Sequence, residues 1–228
     1  MNQYKFIVDT VSIMCRFELG GLMIKGTPEL ITERREEIIN TCEKLYQKLN
    51  FRDITLKDIG RETSFSRPTI YNYFETKEEI FLALYEREYV RWNEELKAIY
   101  NDNKKLSVEE LAKKLSTSLS NRHQLLKLLA MNNYDMEANS REELLVSFKV
   151  AYGESINNIK MILKKFCPKM TDSNIERFIF IFFPFLFGIY PYTNVTKKQR
   201  SAMKKAKIDF VYQSIYDITY KCLTELLK

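Results

Sequence analysis

The pattern that most constrains this chain is a recurring helix-start signal. A Ser or Thr followed three positions later by Asp or Glu occurs at Thr55–Asp58, Thr76–Glu79, Ser107–Glu110, Ser140–Glu143 and Ser173–Glu176, each time ahead of apolar residues at three-and-four spacing. In such a pair the hydroxyl accepts a backbone N–H of the first helical turn, and the carboxylate reaches back to the N–H of the capping residue. One match is weak. Five matches in step with helical periodicity predict an all-α chain. Composition agrees: 6 Gly and 5 Pro in 228 residues are too few for the turns of a β-sandwich or barrel, and a 45% apolar share is too high for disorder.

The periodicity predicts helices over 32–50, 55–63, about 67–74, a long one capped by Thr76 and running through Ile80, Leu84, Trp92 and Leu96, and others near 107–131, 140–166, 173–188 and 205–227. Pro168 and the 191–194 stretch are expected breaks. The expected division is an N-terminal extension over 1–30, a helix-turn-helix domain over 31–79 and a helical domain over 80–228. Met23 offers an alternative start, which would make residues 1–22 an upstream artefact; the sequence leaves both open.

Four cysteines, Cys15, Cys42, Cys167 and Cys222, stand far apart without a C-x-x-C pair, which suits reduced thiols rather than a disulfide framework. A single histidine, His123, gives little from which to build a zinc site or a catalytic triad, so no metal, no cofactor and no enzymatic activity are expected. Net charge is +6, yet residues 31–87 carry 10 Lys+Arg against 11 Asp+Glu while residues 95–228 carry 22 against 14. The excess lies away from the helix-turn-helix, so charge alone does not argue for nucleic acid. Asp9, Arg16 and Glu18 interrupt the apolar N-terminal stretch, and the run at 178–192 is too short to span a bilayer and holds two prolines; it reads as a helix buried inside protein. A cytoplasmic protein with no membrane partner is expected.

Two short helices joined by a tight turn after a longer one make a helix-turn-helix, whose second short helix is built for a DNA major groove. Thr55 stands at a helix N-terminus, where its hydroxyl and nearby N–H groups suit a phosphate. Ser66 is placed to cap the recognition helix, with Pro68 in its first turn and Arg67, Thr69 and Asn72 pointing outward. Arg67 is the candidate for a bidentate guanine contact, worth about 1–3 kcal/mol of discrimination. Tyr71 and Tyr73 are expected on phosphates or thymine methyls, and Lys77 on a phosphate; Ile70 and Phe74 read as core. The segment 54–84, with Thr-x-x-Asp-Ile at 55–59, Ser66-Arg67, Thr69-Ile70-Tyr71-x-Tyr73-Phe74 and Lys77-Glu78-Glu79, resembles the DNA-binding domain of the TetR family of bacterial regulators. The resemblance implies a C-terminal helical domain that binds an inducer and forms a homodimer.

Three departures from the family pattern carry expectations of their own. Ser64-Phe65 stands where the family usually has Gly-Val, so a left-handed turn would strain Ser64 by about 1–2 kcal/mol. Pro68 replaces a frequent Gly, which leaves two arrangements: Ser66 at the cap with Pro68 second, or Arg67 at the cap with Pro68 first. Gly60, often Ala in the family, loosens the second helix slightly.

In the C-terminal region, Ile208, Val211, Ile215, Ile218 and Cys222 form one stripe and Tyr212, Tyr216, Leu223 and Leu227 a second. With the apolar stretch 175–187 they resemble the family's dimerisation pair. Trp92, Met131, Tyr134, Phe148 and Tyr152 are the candidate ligand-binding residues, suited to a small apolar or aromatic inducer. Asp135, Glu137 and Asn139 form a polar cluster at an expected break, read equally as a solvated loop or as ligand contacts. The resulting expectation is a homodimeric repressor that binds a palindromic double-stranded DNA operator and is released by a small molecule. The competing reading is a helical ligand-binding or protein-interaction dimer that has lost DNA binding.

Overall fold

A computed structural model describes residues 27–131 and 133–228. The expectations for the extension before Thr27 and for Met23 fall outside the described residues. Eleven α-helices follow one another among the described residues, with no strand: α1 Pro28–Lys48, α2 Leu56–Arg61, α3 Arg67–Ile70, α4 Lys77–Asn101, α5 Val108–Asn121, α6 His123–Leu129, α7 Asn133–Ala138, α8 Glu142–Phe166, α9 Asp172–Thr193, α10 Lys197–Lys205 and α11 Ile215–Leu226. A single 3₁₀ turn, Phe51–Asp53, precedes α2.

The chain divides into two compact units. One holds the described residues up to Arg87 with the segment ending at Ala151; the other holds Glu88–Met131 and Tyr152–Lys228. In the first unit, α1 packs on α2 and α2 on α3. Ile38, Ile39, Cys42 and Tyr46 of α1 meet Ile59 of α2, Ile70 of α3 and Ile80, Phe81 and Leu84 of α4 in a core where each is at most 2% exposed. Phe81 lies edge-on to Tyr46 at 5.1 Å and to Phe51 at 4.8 Å, contacts worth about 0.5–1.5 kcal/mol each beyond area burial. Cys42 is sealed in this core, and its burial pushes the thiol far above its ordinary value, so it acts as a small apolar filler.

In the second unit, α5 packs along α11, and α9 packs on both α6 and α11. Leu111, Leu115 and Leu119 of α5 and Leu223 of α11 are fully buried. Trp92 is also fully buried; its Nε1–H donates to Ser118 Oγ at 3.2 Å, and that hydroxyl donates on to Leu115 O at 2.9 Å.

The helix starts read from the sequence at Thr55, Thr76 and Ser107 are correct. Thr55–Asp58 and Ser107–Glu110 form complete capping boxes. Thr76 forms half of one: its hydroxyl accepts Glu79 N–H at 3.1 Å, while the Glu79 carboxylate is used elsewhere. Ser140 is not a cap. Its hydroxyl is buried without a hydrogen-bond partner, and α8 begins at Glu142. Ser173 lies inside α9, which Thr171 caps through Asn174 N–H at 3.2 Å.

Other boundaries depart from the expected ones. The stretch 107–131 is broken at Arg122, whose ψ of 44° leaves the helical region; its guanidinium is held by Glu95. The stretch 67–74 is α-helical only as far as Ile70 and finishes in a turn closed by hydrogen bonds of Asn72 N–H to Thr69 O and Tyr73 N–H to Ile70 O. The helix expected at 205–227 forms only from Ile215, and a separate helix, Lys197–Lys205, ends where it was expected to begin. Residues 206–214 are irregular, Lys207 is left-handed with φ of 55°, and Ile208 and Val211, counted in the apolar stripe, are 53% and 73% exposed. The real start of α11 is the capping box Ser214–Asp217, a sixth instance of the same pattern. Helix α9 runs through Pro184 and Pro191 for 22 residues, so it is longer than expected and long and apolar enough to cross a membrane by length and composition. It is not wholly buried within the chain, because Phe180, Ile181, Phe187 and Tyr192 are 78%, 44%, 38% and 58% exposed.

These cap assignments separate two serines that the sequence does not. Replacing Ser214 by Ala removes a complete capping box and is expected to cost about 1 kcal/mol. Ser173→Ala, inside α9, is expected to stay within about 0.5 kcal/mol. Equilibrium urea unfolding at matched protein concentration measures both, and a larger loss for Ser173→Ala would return the helix start to the sequence-read position.

Candidate nucleic-acid interface

The candidate reading surface is α2, the turn after it, and α3. Thr55 caps α2 in full: its N–H and its hydroxyl donate to Asp58 Oδ2 at 3.0 and 2.6 Å, and its oxygen accepts Asp58 N–H at 3.2 Å. The two hydrogen bonds from Thr55, the side-chain one first, hold the Asp58 carboxyl below its ordinary value. Thr55 is exposed, but its hydroxyl proton is committed to that carboxylate.

The turn avoids the strain considered for Ser64. Among the described residues Lys207 is the one non-glycine with positive φ, so Ser64 is not left-handed. A carboxylate holds it instead: Ser64 N–H and Oγ–H both donate to Glu37 of α1, the latter at 2.9 Å. Thr63 Oγ donates to Phe65 O at 3.2 Å, and the Arg34 guanidinium lies over the Phe65 ring at 6.0 Å. Gly60 acquires a reason as well. A Cβ there would lie 3.2 Å from Arg67 Cβ and 3.4 Å from Arg67 Cα, so glycine permits the close approach of α2 to the start of α3.

At the start of α3, Ser66 occupies the cap position in extended backbone and Pro68 is second, which decides between the two arrangements; the Ser66 hydroxyl makes no capping bond and sits 3.3 Å from Thr69 Oγ1. Pro68 lacks an N–H that the first turn would leave unpaired anyway. Ser66, Arg67, Pro68 and Asn72 are exposed, Thr69 is half-exposed and Tyr71 is 44% exposed. Arg67 Nη2 donates to the Tyr71 hydroxyl at 2.9 Å, with the guanidinium 5.7 Å from that ring. The two side chains therefore form one unit, a planar donor group steadied by a phenol one helical turn on.

Two expected contacts are not on this surface. Tyr73 is 2% exposed with a buried hydroxyl, so it belongs to the core with Ile70 and Phe74. Lys77 turns inward: its Nζ donates to Phe51 O at 3.0 Å and lies 4.0 Å from the Phe51 ring. The spacing that places these residues one turn apart says nothing about which face α4 covers.

Sequence reasoning also missed the group that holds the end of this segment. Glu79, 1% exposed, accepts Glu75 N–H at 2.7 Å, Arg141 N–H at 3.1 Å, and Arg141 Nε and Nη2 at 2.7 and 2.9 Å. Arg141 Nη2 also donates to Tyr73 O at 3.2 Å, and Thr76 Oγ1 donates to Asn139 O at 2.8 Å. The α7–α8 corner thus grips the last residues of the recognition segment. Burial works against the charge on Glu79, but hydrogen bonds from Arg141 and from the two backbone N–H groups outweigh it and hold the carboxyl below its ordinary value of 4.5.

The ligand candidates divide between the units. Tyr134 is 84% exposed, and Phe148 packs on Tyr85 at 4.7 Å in the first unit. Trp92 and Tyr152, in the second, belong to an aromatic cluster: Phe183 lies 6.1 and 5.6 Å from their rings, and Tyr89 lies 6.3 and 5.5 Å from them. Met131 is half-buried. Asp135, Glu137 and Asn139 lie in or at the end of α7 rather than in a loop; Glu137 pairs with Lys149 at 2.7 Å. His123 bonds Asn194 and packs on Tyr190.

Family comparison matches this arrangement in both units. The model for bacterial regulatory proteins of the tetR family matches residues 38–84, and that for the tetracyclin repressor-like C-terminal domain matches residues 86–212. The chain is 40% identical over 58 residues to the HTH-type transcriptional regulator HbdR of Aromatoleum sp. (strain CIB), a match covering 25% of each protein. It is 35% identical over 52 residues to the HTH-type transcriptional regulator EthR of Mycolicibacterium smegmatis, covering 23% of this chain and 24% of that protein. These matches span about a quarter of the length of the curated relatives. In fold, the chain is similar to the fatty acid degradation regulator FadR from Bacillus halodurans, with a TM-score of 0.53 and 17% identity over 90% of this chain and 96% of that one.

The depressed Glu79 carboxyl has a pH signature. A carboxyl whose folded value is lowered contributes stability that is complete above its unfolded value and is lost as pH falls through the folded one, here below 4.5. Glu79→Gln is expected to be less stable than the parent at neutral pH and to lose less on acidification. Urea midpoints between pH 7 and 3 measure this, and parallel pH curves for the two proteins would exclude Glu79 as a source of acid sensitivity.

Proposed function

The chain belongs to the TetR family of bacterial regulatory proteins, and from that premise we propose that it is a cytoplasmic homodimer that binds a palindromic operator and represses transcription until a small molecule releases it. The observation that carries this reading is the surface of α3. Arg67, Tyr71 and Asn72 stand in solvent on a segment of four helical residues and a turn, while Glu37, Gly60 and Arg141 hold that segment from its two ends. A segment so short has no helical stability of its own. Its exposed donors are fixed in place by the rest of the unit, as base reading in a major groove requires.

The homodimer reading is supported by α9, whose exposed Phe180, Ile181, Phe187 and Tyr192 form an apolar side that a second copy would cover. Two recognition helices per dimer then read two half-sites one or two turns apart. Release requires an inducer that binds better to a dimer with another spacing of those helices. The aromatic cluster around Trp92 and Tyr152 is the part of the expected pocket that keeps its place in this reading. No catalytic step enters it.

Selection from random-sequence duplex DNA at moderate salt is expected to recover a palindrome with half-site centres about 34–36 Å apart or a multiple of that. Fluorescence anisotropy on the recovered site then tests the residues. Arg67→Ala is expected to weaken binding by about 5- to 150-fold and to relax the preference at one operator position. Tyr73→Phe, altering a buried hydroxyl, is expected to leave that preference unchanged. Affinity that does not fall with salt, together with an Arg67→Ala protein that binds as well as the parent, would move the helix-turn-helix from DNA to a protein partner.

A further inference from the structure

The second unit contains a hollow away from the aromatic cluster, where the residues between α8 and α9 face the last turn of α11. Its volume is about 590 Å³, within the roughly 300–1,000 Å³ of pockets that take small organic ligands. Its lining separates two chemistries. Phe166, Phe178 and Leu227 (7%, 2% and 5% exposed) and Met170 present carbon and sulfur. Lys169, Arg177 and Lys228 bring three cationic side chains to the lining, against one acidic side chain, Glu225. Glu225 is taken up by Lys228 at 2.6 Å, and Asp172, at the head of the helix that carries Arg177, is taken up by Lys164 at 2.9 Å. The side chains of Lys169 and Arg177 form no ion pair or hydrogen bond among the described residues.

We propose that this hollow is a binding site for a single-chain alkyl anion, with its chain against Phe166, Phe178 and Met170 and its head group against Arg177 and Lys169. The apolar lining favours a hydrocarbon chain, and the uncompensated cations select an anionic head over a cationic one. Guanidinium presents paired N–H groups in the geometry of a carboxylate, so Arg177 is the orienting residue. This site stands whether or not its occupant is the molecule that releases DNA.

Isothermal titration of the full chain with decanoate, below its micelle concentration, tests it. The expected result is one decanoate per chain, weaker binding of decanol and none of decyltrimethylammonium. Affinity is expected to fall tenfold or more in the double variant K169Q/R177Q, whose two positions are exposed and whose fold circular dichroism checks. Met170→Trp, which puts a bulky ring into the hollow, is expected to weaken uptake. Absence of uptake by the parent, or uptake undiminished in the double variant and in Met170→Trp alike, overturns the proposal. Operator anisotropy with and without decanoate is the separate readout: a chain that takes up decanoate but fails to bind any operator counts against the regulator reading and leaves this site in place.

Discussion

The first unit depends on a single buried carboxylate. Glu79 sits at the first turn of α4, is almost wholly removed from solvent, and accepts from two backbone N–H groups and both arms of Arg141. Two of those bonds come from backbone ahead of helices: Glu75 lies two residues before α4 and Arg141 directly before α8, so one acid holds the approach to two helices. A buried ion pair adds little net stability once desolvation is counted, yet losing one partner is costly, because it leaves an uncompensated charge. The pair therefore acts as a register pin. It sets where the α7–α8 corner lies against the end of the recognition segment.

The recognition segment needs such support because its own chemistry is weak. Ser66 makes no capping bond, and only Arg67–Ile70 is regular helix. Stability is supplied from outside, by Glu37 on the turn, by the space at Gly60 and by Arg141 on the Tyr73 carbonyl. The side chains facing solvent are thereby relieved of structural duty, apart from the Arg67–Tyr71 bond, which confines a flexible guanidinium before any partner arrives.

Charge is distributed against the simple expectation for a DNA-binding chain. The net charge is +6, and the stretch 197–207 alone carries six cations and no acid. The segment that carries the proposed reading surface is close to neutral, so the proposed specificity draws on placed donors and not on a general field. In the second unit, carbon-rich lining and unpaired cations meet in one hollow, while the residues expected to form a single pocket fall in different units.

The all-α class, the capped starts at Thr55 and Ser107 and the helix-turn-helix were legible in the sequence, because caps and helical periodicity are local: every bond in them spans three or four residues. The same local rule also explains the errors. Ser140, Ser173 and Ser214 satisfy one pattern, but packing leaves the Ser140 hydroxyl buried and unused, Thr171 caps ahead of Ser173, and Ser214 alone of the three is a true cap. Tyr73 and Lys77 have the right spacing for a DNA surface, but burial against the core and the Phe51 ring decides where they point. Glu37 with Ser64, and Glu79 with Arg141, are pairs separated by 27 and 62 positions. Sequence by itself determined the all-α class and the family pattern of the N-terminal helices, while several helix boundaries were left to packing. Tertiary structure decided which side chains of the recognition segment stay in solvent, because that depends on which polar groups find partners far along the chain.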